Sequence, residues 1–221
     1  MASAISKTGN MGEEQQTVYL VDDNLDILTS LSMLLDNAGF RVRSFASPQA
    51  FLDALSAEAT GCLVLDLQMP EMNGLQVQEA VHARCPELPV VFLTGHGNVP
   101  STVRAIKHGA VDFLEKPAPK EVLIDRIENA FLIERQRRAR RAWESQVRRC
   151  YAELTSRERD VMQLVTEGLS NKTIARQLQI SPRTVEAHRA RLMDKMRAAN
   201  LPELCAMATC CLGRGQGPRL G

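Results

Sequence analysis

With 221 residues, the chain is long enough for two ordinary domains, each with its own hydrophobic core. The overall charge of +1 conceals two unlike halves, because residues 1–130 carry 9 Lys and Arg against 17 Asp and Glu, whereas residues 131–221 carry 18 against 9. No apolar run in the sequence reaches the length of about 18 residues that crosses a bilayer, which excludes a predicted membrane-spanning helix.

The charge distribution indicates two separate tasks, because a net charge of −8 is followed by one of +9. A basic domain most often binds nucleic acid, although two oppositely charged domains can also dock on each other. The six cysteines have no CxxC or CxxH spacing, so we expect reduced thiols in a reducing cytosol rather than disulfides or a zinc site. The amino-terminal segment lacks the apolar core of a signal peptide, and we expect a cytoplasmic protein.

The acidic half has the pattern of an α/β domain. Residues 1–16 are polar and predicted to be disordered. From residue 17 to 130, short apolar segments alternate with helical segments, which predicts a five-stranded, doubly wound parallel sheet of the flavodoxin-like type. Gly39 fits the left-handed position after the first helix, and Ser47-Pro48 fits the start of the second. The predicted strands cover residues 17–21, 40–45, 62–65, 88–93 and 111–114.

Polar side chains follow four of these strands. Asp22 and Asp23 come after the first strand, Asp66 after the third, Thr94 after the fourth and Lys116 after the fifth. Because the carboxyl ends of parallel strands share one edge of the sheet, we expect the five side chains to converge there. Each of them alone is an ordinary polar loop residue, but five at one edge indicate a site.

The chemistry of this set indicates phosphoryl transfer. Three neighbouring carboxylates require a proton or a cation among them, and Mg²⁺ suits a site with few protein ligands that also accepts phosphate oxygens. The hydroxyl of Thr94 and the ammonium of Lys116 can each bind a phosphoryl oxygen. Asp66 can then attack phosphorus as a carboxylate nucleophile and form an aspartyl phosphate.

The same residues, with the segment DLQMPEMNG from Asp66 to Gly74, resemble the receiver domain of bacterial two-component response regulators over about residues 15–130. The resemblance implies that Asp66 is the phosphoacceptor. It also implies that Asp23, Asp66 and the main chain of Gln68 hold Mg²⁺, and that Asp22 supports the acidic pocket.

Further roles in the predicted receiver follow from the resemblance. It implies that Thr94 and Lys116 bind the incoming phosphoryl group. It assigns Phe113 to the aromatic switch position, with simple packing of a short strand as the alternative. Gln68 and His96 match positions that tune the lifetime of the phosphoryl group.

The segment from residue 121 to about 149 contains no Pro or Gly and predicts one continuous helix. Its first part is expected to pack on the receiver domain, predicted over residues 17–130. Residues 131–150 are predicted to form a basic, solvated helical linker, in which Trp143 and Val147 could support self-association. Direct contact of its arginines with DNA is the less favoured interpretation.

Residues 151–212 predict four helices, and the Gly-rich residues 213–221 a flexible tail. Thr155 or Ser156 with Glu158 predicts a capping box, and the predicted third helix carries Arg183, Arg189, Arg191 and Lys195, as in a helix-turn-helix that enters the major groove. The motifs LTxRExxV, EGLSNKxIA and ISPRTVExHR resemble LuxR-type DNA-binding domains.

That resemblance implies two kinds of contact with DNA. Glu186, Ala187 and Ala190 match positions that face the bases, where a Glu carboxylate can accept from a cytosine amino group and alanines can pack on thymine methyl groups. A second set matches positions that contact phosphate or sugar and so position the protein. This set comprises Lys172, Arg183, Thr184, His188 and Arg191.

The two halves together resemble response regulators of the NarL/FixJ class, nearest the FixJ-like regulators because of the run TGHGNVPSTVRAIKHGAVDFLEKP. The resemblance implies a sensor histidine kinase as phosphoryl donor, a homodimer on phosphorylation, double-stranded promoter DNA as target and RNA polymerase as a further partner. Activation of transcription is favoured over repression.

The residues of this edge also allow two other functions. A phosphatase or phosphotransferase would use Asp66 as nucleophile, but an Asp-x-Asp motif would favour it, and Leu67 and Gln68 follow Asp66 here. We therefore expect no enzyme activity beyond slow self-dephosphorylation. A receiver that binds DNA without phosphorylation is disfavoured by the complete set of site residues.

Overall fold

The computed structural model describes residues 16–95 and 99–212. The predicted disordered tails, apart from Gln16, and His96 lie outside these residues. The chain forms two compact units, residues 1–138 and 139–221, which are described separately below. Within the described residues, no helix combines the length and the apolar character needed to cross a membrane.

The first unit is built on a five-stranded parallel sheet. Its strand order is β2-β1-β3-β4-β5, so β2 lies on one side of β1, and β3, β4 and β5 follow on the other side. This confirms the predicted doubly wound fold. The strands are β1 (Thr17–Val21), β2 (Arg41–Phe45), β3 (Cys62–Leu65), β4 (Val90–Thr94) and β5 (Asp112–Glu115).

Helices cover both faces of this sheet, and their ends are set by local capping. The Asn24 side chain accepts from the main-chain amides at the start of the first helix, and the Ser47 side chain does so at the second, where Pro48 is the first helical residue. Gly39 follows the first helix with φ +92°, as predicted. The helices are α1 (Leu25–Asn37), α2 (Pro48–Ala54), α3 (Gly74–Arg84), α4 (Val99–Lys107) and α5 (Lys120–Ala152).

Two apolar clusters hold the helices on the sheet. One face of the sheet packs on α2, α3 and α4 around Phe51 and Phe92, and the other packs on α1 and α5 around Leu35 and Ile127. Alternate residues of β1 enter opposite clusters, as the two-residue repeat of a strand requires. Because β3 and β4 are buried on both faces of the sheet, their sequences are continuous apolar runs.

The second unit contains the end of α5 followed by α6 (Ser156–Thr166), α7 (Asn171–Leu178), α8 (Pro182–Met196) and α9 (Leu201–Leu212). Thr155 and Glu158 form the predicted capping box at α6, and Ser181 caps α8. The core of this unit includes Met162, Ile174 and Leu192. These four helices confirm the predicted helical carboxyl-terminal domain.

Helix α5 is continuous for 33 residues, which confirms the helix predicted over residues 121–149. Ala130 and Phe131 belong to the core of the first unit, whereas Val147 and Cys150 belong to the core of the second. Val147 is 2% exposed and so is not available for the predicted self-association, whereas Trp143 is 40% exposed and its role stays a prediction. The structure divides the chain after residue 138, within the segment predicted as a linker, and the predicted domain limits stay a prediction.

We expect Gly61→Ala to destabilise the first unit far more than Gly39→Ala. Both glycines have positive φ, which costs an alanine about 1 kcal/mol. A Cβ at Gly61 would also lie 1.9 Å from the carbonyl oxygen of Thr17 in β1, whereas at Gly39 it would meet open space. Urea unfolding should show a loss of about 3 kcal/mol or more for Gly61→Ala. Equal losses for the two variants would contradict this account of the β1–β3 contact.

Candidate functional site

An ion-pair network lies at the carboxyl edge of the sheet. Asp22 and Asp66 follow the neighbouring strands β1 and β3, and both side chains are buried. The Nζ atom of Lys116, which follows β5, donates to Oδ2 of Asp22 and, over 2.9 Å, to Oδ1 of Asp66. One ammonium group therefore compensates two carboxylates that would otherwise repel each other in a poorly solvated place.

Main-chain amides satisfy the other oxygen of each carboxylate. The amide of Asn24 donates to Oδ1 of Asp22 over 3.0 Å, and the amide of Gln68 donates to Oδ2 of Asp66 over 2.8 Å. Hydrogen bonds to a charged acceptor are stronger than neutral ones and fix its orientation. The Asp66 carboxylate is thus held in one orientation by the Lys116 side chain and by its own loop.

Thr94 is the last residue of β4 and is fully buried. Its carbonyl oxygen accepts from the main-chain amide of Lys116 over 2.9 Å, which fixes the start of the loop after β5 against the end of β4. Phe113, in β5, is half-buried and stacks on Phe92 with ring centroids 5.8 Å apart. The structure thus places the predicted switch residues on adjacent strands beside the Asp66 loop.

The loop after Asp66 closes tightly onto the start of α3. A Cβ at Gly74 would lie 2.4 Å from the carbonyl oxygen of Asp66 and 2.9 Å from the Phe92 ring, so only glycine fits without a shift of the main chain. The Asn73 and Gln76 side chains form a capping box with the first turn of α3. The MNG part of the motif therefore positions Asp66 through backbone contacts.

The remaining predicted residues of this edge are exposed. Asp23 and Gln68 both face solvent, and Asp22 and Asp66 are the two carboxylates that the ammonium group joins.

Among residues 16–95 and 99–212, no group of three or more His, Cys, Asp or Glu side chains is arranged to hold a metal ion as it stands. The donor chemistry still fits Mg²⁺, because three carboxylates and one ammonium leave a net charge of −2 on hard oxygen ligands.

In the second unit, α8 has one buried and one exposed face. Val185, Leu192 and Met196 point into the core. The exposed residues recur at helical spacing, three to four positions apart, so they form one continuous face. They are Pro182, Arg183, Thr184, Glu186, Ala187, Ala190, Arg191 and Asp194.

Two other predicted contact residues flank that face. Lys172 is exposed in the first turn of α7. His188 is half-buried, and its Nδ1 atom is buried away from hydrogen-bond partners among the described residues. The Thr184 hydroxyl lies 2.8 Å from that of Ser181 at the start of α8, so it also belongs to the helix cap.

Two cations of α8 have structural roles that the sequence did not reveal. Arg189 donates to Oδ1 of Asn171 in α7 over 2.8 Å. Lys195 donates to Oε2 of Glu158 in α6 over 2.8 Å and to the carbonyl oxygen of Glu153 over 3.3 Å. Neither cation is among the predicted DNA contacts, and the structure gives both of them partners within the second unit. Only the structure shows that Glu158 is buried and therefore needs a cation beside it.

Glu158 has a strongly lowered pKa, of about 2. The hydrogen bond from Lys195 is the largest cause, and the amide and hydroxyl of Thr155 lower it further, whereas burial opposes the shift. Arg157 donates to the carbonyl oxygen of Leu178 over 2.6 Å and so ties α6 to the end of α7. The LTSRE segment is thus a structural junction of α6, α7 and α8.

Comparison with known families matches each unit separately. The receiver domain of response regulators matches residues 18–128, and the LuxR family of bacterial regulatory proteins matches residues 152–208. The transcriptional regulatory protein FixJ of Bradyrhizobium diazoefficiens is 44% identical over 191 residues, which are 86% of this chain and 93% of FixJ. The chain is a response regulator of the NarL/FixJ class. It is a transcriptional regulator with a receiver domain and a LuxR-type DNA-binding domain.

Other relatives agree with this family. The response regulator protein TmoT of Ectopseudomonas mendocina is 38% identical over 195 residues, 88% of this chain and 89% of TmoT. The structure of the response regulator StyR has a TM-score of 0.74 and 40% identity over 88% of this chain and 98% of StyR. The structure of full-length FixJ from B. japonicum has a TM-score of 0.55 and 42% identity over 89% of this chain and 97% of that FixJ chain. The response-regulator architecture implies a histidine kinase and DNA as partners, and the family consists of regulators rather than typical enzymes.

We expect Glu158→Gln to cost the LuxR-type unit about 1–2 kcal/mol at pH 7, because Lys195 then loses a charged acceptor. The pKa of Glu158 is lowered from 4.5 to about 2, so its contribution is complete above pH 4.5 and is lost as the pH falls through about 2. Denaturant unfolding at several pH values should show the wild-type advantage shrinking only below pH 4.5. Glu153→Gln, at an exposed position, is the control and should cost little. An advantage that is unchanged at pH 2 would contradict the ion-pair account.

Proposed function

We propose that Asp66 accepts a phosphoryl group from a sensor histidine kinase in a Mg²⁺-dependent reaction, and that phosphorylation promotes dimerisation and promoter binding. The observation that carries the proposal is the single ammonium group of Lys116 between the buried carboxylates of Asp22 and Asp66. An oxygen of Asp66 attacks the phosphorus atom and forms an acyl phosphate, while the donor's leaving group departs. The ammonium group of Lys116 then neutralises oxygens of the bound phosphoryl group.

The metal ligands of the proposal are Asp23, Asp66 and the main-chain carbonyl of Gln68, with Asp22 in support. When bound, Mg²⁺ supplies charge neutralisation at the phosphoryl oxygens. Gln68 is fixed near Asp66 because its amide donates to Oδ2 over 2.8 Å. Asp23 follows the buried Asp22 directly and faces solvent, which leaves its carboxylate accessible to an entering hydrated ion.

Thr94 and Phe113 are proposed to pass the signal to the rest of the receiver. The Thr94 hydroxyl donates to a phosphoryl oxygen and moves toward it, and Phe113 turns inward. Two features support this proposal: Thr94 lies on the strand that pairs with β5, and Phe113 is only half-buried. Slow hydrolysis of the phosphoryl group then resets the site. Gln68, which is exposed at its rim, is proposed to tune that lifetime.

The proposed dimer face consists of α4, β5 and the first part of α5. Val99, Val103 and Ile106 are 77%, 45% and 46% exposed and recur along α4 at intervals of four and three residues. Such an exposed apolar stripe is costly in a monomer and is suited to association. An Arg126–Asp112 ion pair of 2.8 Å links α5 to β5 within the same face.

The exposed face of α8 is proposed to enter the major groove. Glu186 accepts from a cytosine amino group, and Ala187 and Ala190 contact thymine methyl groups. Lys172, Arg183, Thr184, His188 and Arg191 are proposed to contact phosphate or sugar. Two such units in one dimer engage two half-sites, so dimerisation raises affinity by effective concentration. At the promoter, RNA polymerase is the proposed further partner.

Asp66→Asn should abolish phosphorylation by a small phosphodonor such as acetyl phosphate with Mg²⁺, because the amide is not a nucleophile. The wild type should gain one phosphoryl mass, sediment as a dimer and bind promoter DNA more tightly. Asp36→Asn, at an exposed position of α1, is the matched control and should behave as the wild type. Intact-mass spectrometry with sedimentation decides the question. Equal phosphorylation of Asp66→Asn and the wild type would refute the assignment.

Glu186→Ala and Arg183→Ala should weaken DNA binding in different ways. On sites selected from random duplexes by the wild type, Glu186→Ala should relax the preference at one base pair, by about 1–3 kcal/mol. Arg183→Ala should weaken binding to all sequences alike and reduce the slope of log K against log salt by about 1. Titrations at several salt concentrations separate the two effects. If Glu186→Ala leaves every base preference unchanged, Glu186 does not read a base.

A further inference from the structure

The thiols of the chain fall into two groups. Cys62 and Cys85 of the first unit and Cys150 of the second unit are buried, and burial raises the pKa of the Cys62 thiol far above its usual value. In the second unit, Cys205, Cys210 and Cys211 of α9 are partly exposed. These α9 thiols are therefore the accessible ones among the cysteines.

The end of α9 lies against the end of α5 within the second unit. Val147 and Cys150 of α5 belong to the same buried cluster as residues of α9, and Cys210 and Cys211 pack against that cluster. The Sγ atom of Cys211 lies 4.0 Å from the carbonyl oxygen of Val147. Cys150 follows Val147 by three residues, so it lies on the same face of α5 in the next turn. The Cys211 sulfur thus faces the turn that carries Cys150.

The surroundings of the Cys211 thiol raise its pKa. Burial is the largest cause of the raised pKa of Cys211, its neighbour Cys210 adds to the rise, and the Arg148 guanidinium opposes it. At neutral pH the thiol form of Cys211 therefore predominates, and oxidation is slow and accelerated by base. The adjacent pair Cys210-Cys211 is unsuited to a disulfide, since consecutive Cα atoms are about 3.8 Å apart, whereas disulfides usually span about 4.4–6.8 Å.

We propose that Cys150 and Cys211 form a reversible disulfide, driven by a peroxide, that fastens the end of α9 to α5. The Cys211 thiolate attacks one oxygen of hydrogen peroxide, which gives a sulfenic acid and releases hydroxide, neutralised to water by the thiol proton. The Cys150 sulfur then attacks the sulfenic sulfur, and its proton leaves with the hydroxyl group as a second water. Two thiols are oxidised by two electrons, and the peroxide is reduced to two waters. A dithiol restores the reduced form by exchange.

The bond would enclose α6, α7 and α8, because these helices lie between Cys150 and Cys211 in the chain. Closing a long loop stabilises a fold chiefly by restricting its unfolded state. Neither cysteine belongs to α8, whose exposed face is the proposed DNA contact. Oxidation should therefore protect the LuxR-type unit against unfolding and leave its choice of DNA sequence unchanged. This inference does not depend on phosphorylation of Asp66.

The test treats the full chain with hydrogen peroxide, removes the excess with catalase and maps disulfides by non-reducing peptide mass spectrometry. We expect a Cys150–Cys211 crosslink with loss of two hydrogens and a rise of several degrees in the Tm of the second unit, reversed by dithiothreitol. Formation should be faster at pH 9 than at pH 7. DNA sequence preference should stay the same.

Four variants make the outcome decisive. Cys150→Ala and Cys211→Ser should lose both the crosslink and the Tm shift. Cys211→Ser lies next to the end of α9 and tests the proposal even if Cys150→Ala fails to fold. Cys205→Ser and Cys210→Ser should keep both. The proposal is overturned if peroxide yields no disulfide, if the main crosslink involves Cys205 or Cys210, or if it joins two chains.

Discussion

The receiver depends on one charged contact, the ammonium of Lys116 between Asp22 and Asp66. Two buried carboxylates on adjacent strands repel each other, and their removal from water is costly unless a cation and hydrogen bonds compensate them. The strand order makes this possible, because β1 and β3 are neighbours and β5 lies two strands from β3. The long, flexible lysine side chain reaches across the end of β4 to both carboxylates. The same topology that builds the sheet therefore assembles its reactive edge.

A related contact organises the second unit. Glu158 is buried at the start of α6, and Lys195 reaches it from α8. Because the same carboxylate also closes the capping box, one side chain fixes both the start of α6 and the position of α8. The exposed face of α8 is free of these constraints, and its cation Arg183 points to solvent. Charged residues that hold the fold are thus separated from charged residues available to a partner.

The sequence predicted the sheet and its site because parallel strands fix which residues share an edge, as for Asp66 and Lys116. Prediction from the sequence was incomplete where the role of a residue depends on which other residue it contacts. Helical spacing placed Arg189 on α8, but only the packing of α7 shows that its guanidinium group contacts Asn171. Val147 stands among arginines with few apolar neighbours in sequence, so its burial in a core formed by later helices left no local periodicity to detect. Local sequence patterns predict helices and strands, whereas the contacts of a long or buried side chain depend on residues that are distant in sequence.

Helix α5 also limits how the protein can be divided into separately expressed pieces. The last apolar side chains that it supplies to the receiver core are near Phe131, and the first that it supplies to the second core is Val147. A cut after residue 138 leaves both sets intact. A DNA-binding fragment that starts at residue 152, where the match to the LuxR family begins, would expose the core surface that Val147 and Cys150 cover. Such a fragment would be prone to aggregation for reasons unrelated to its recognition helix.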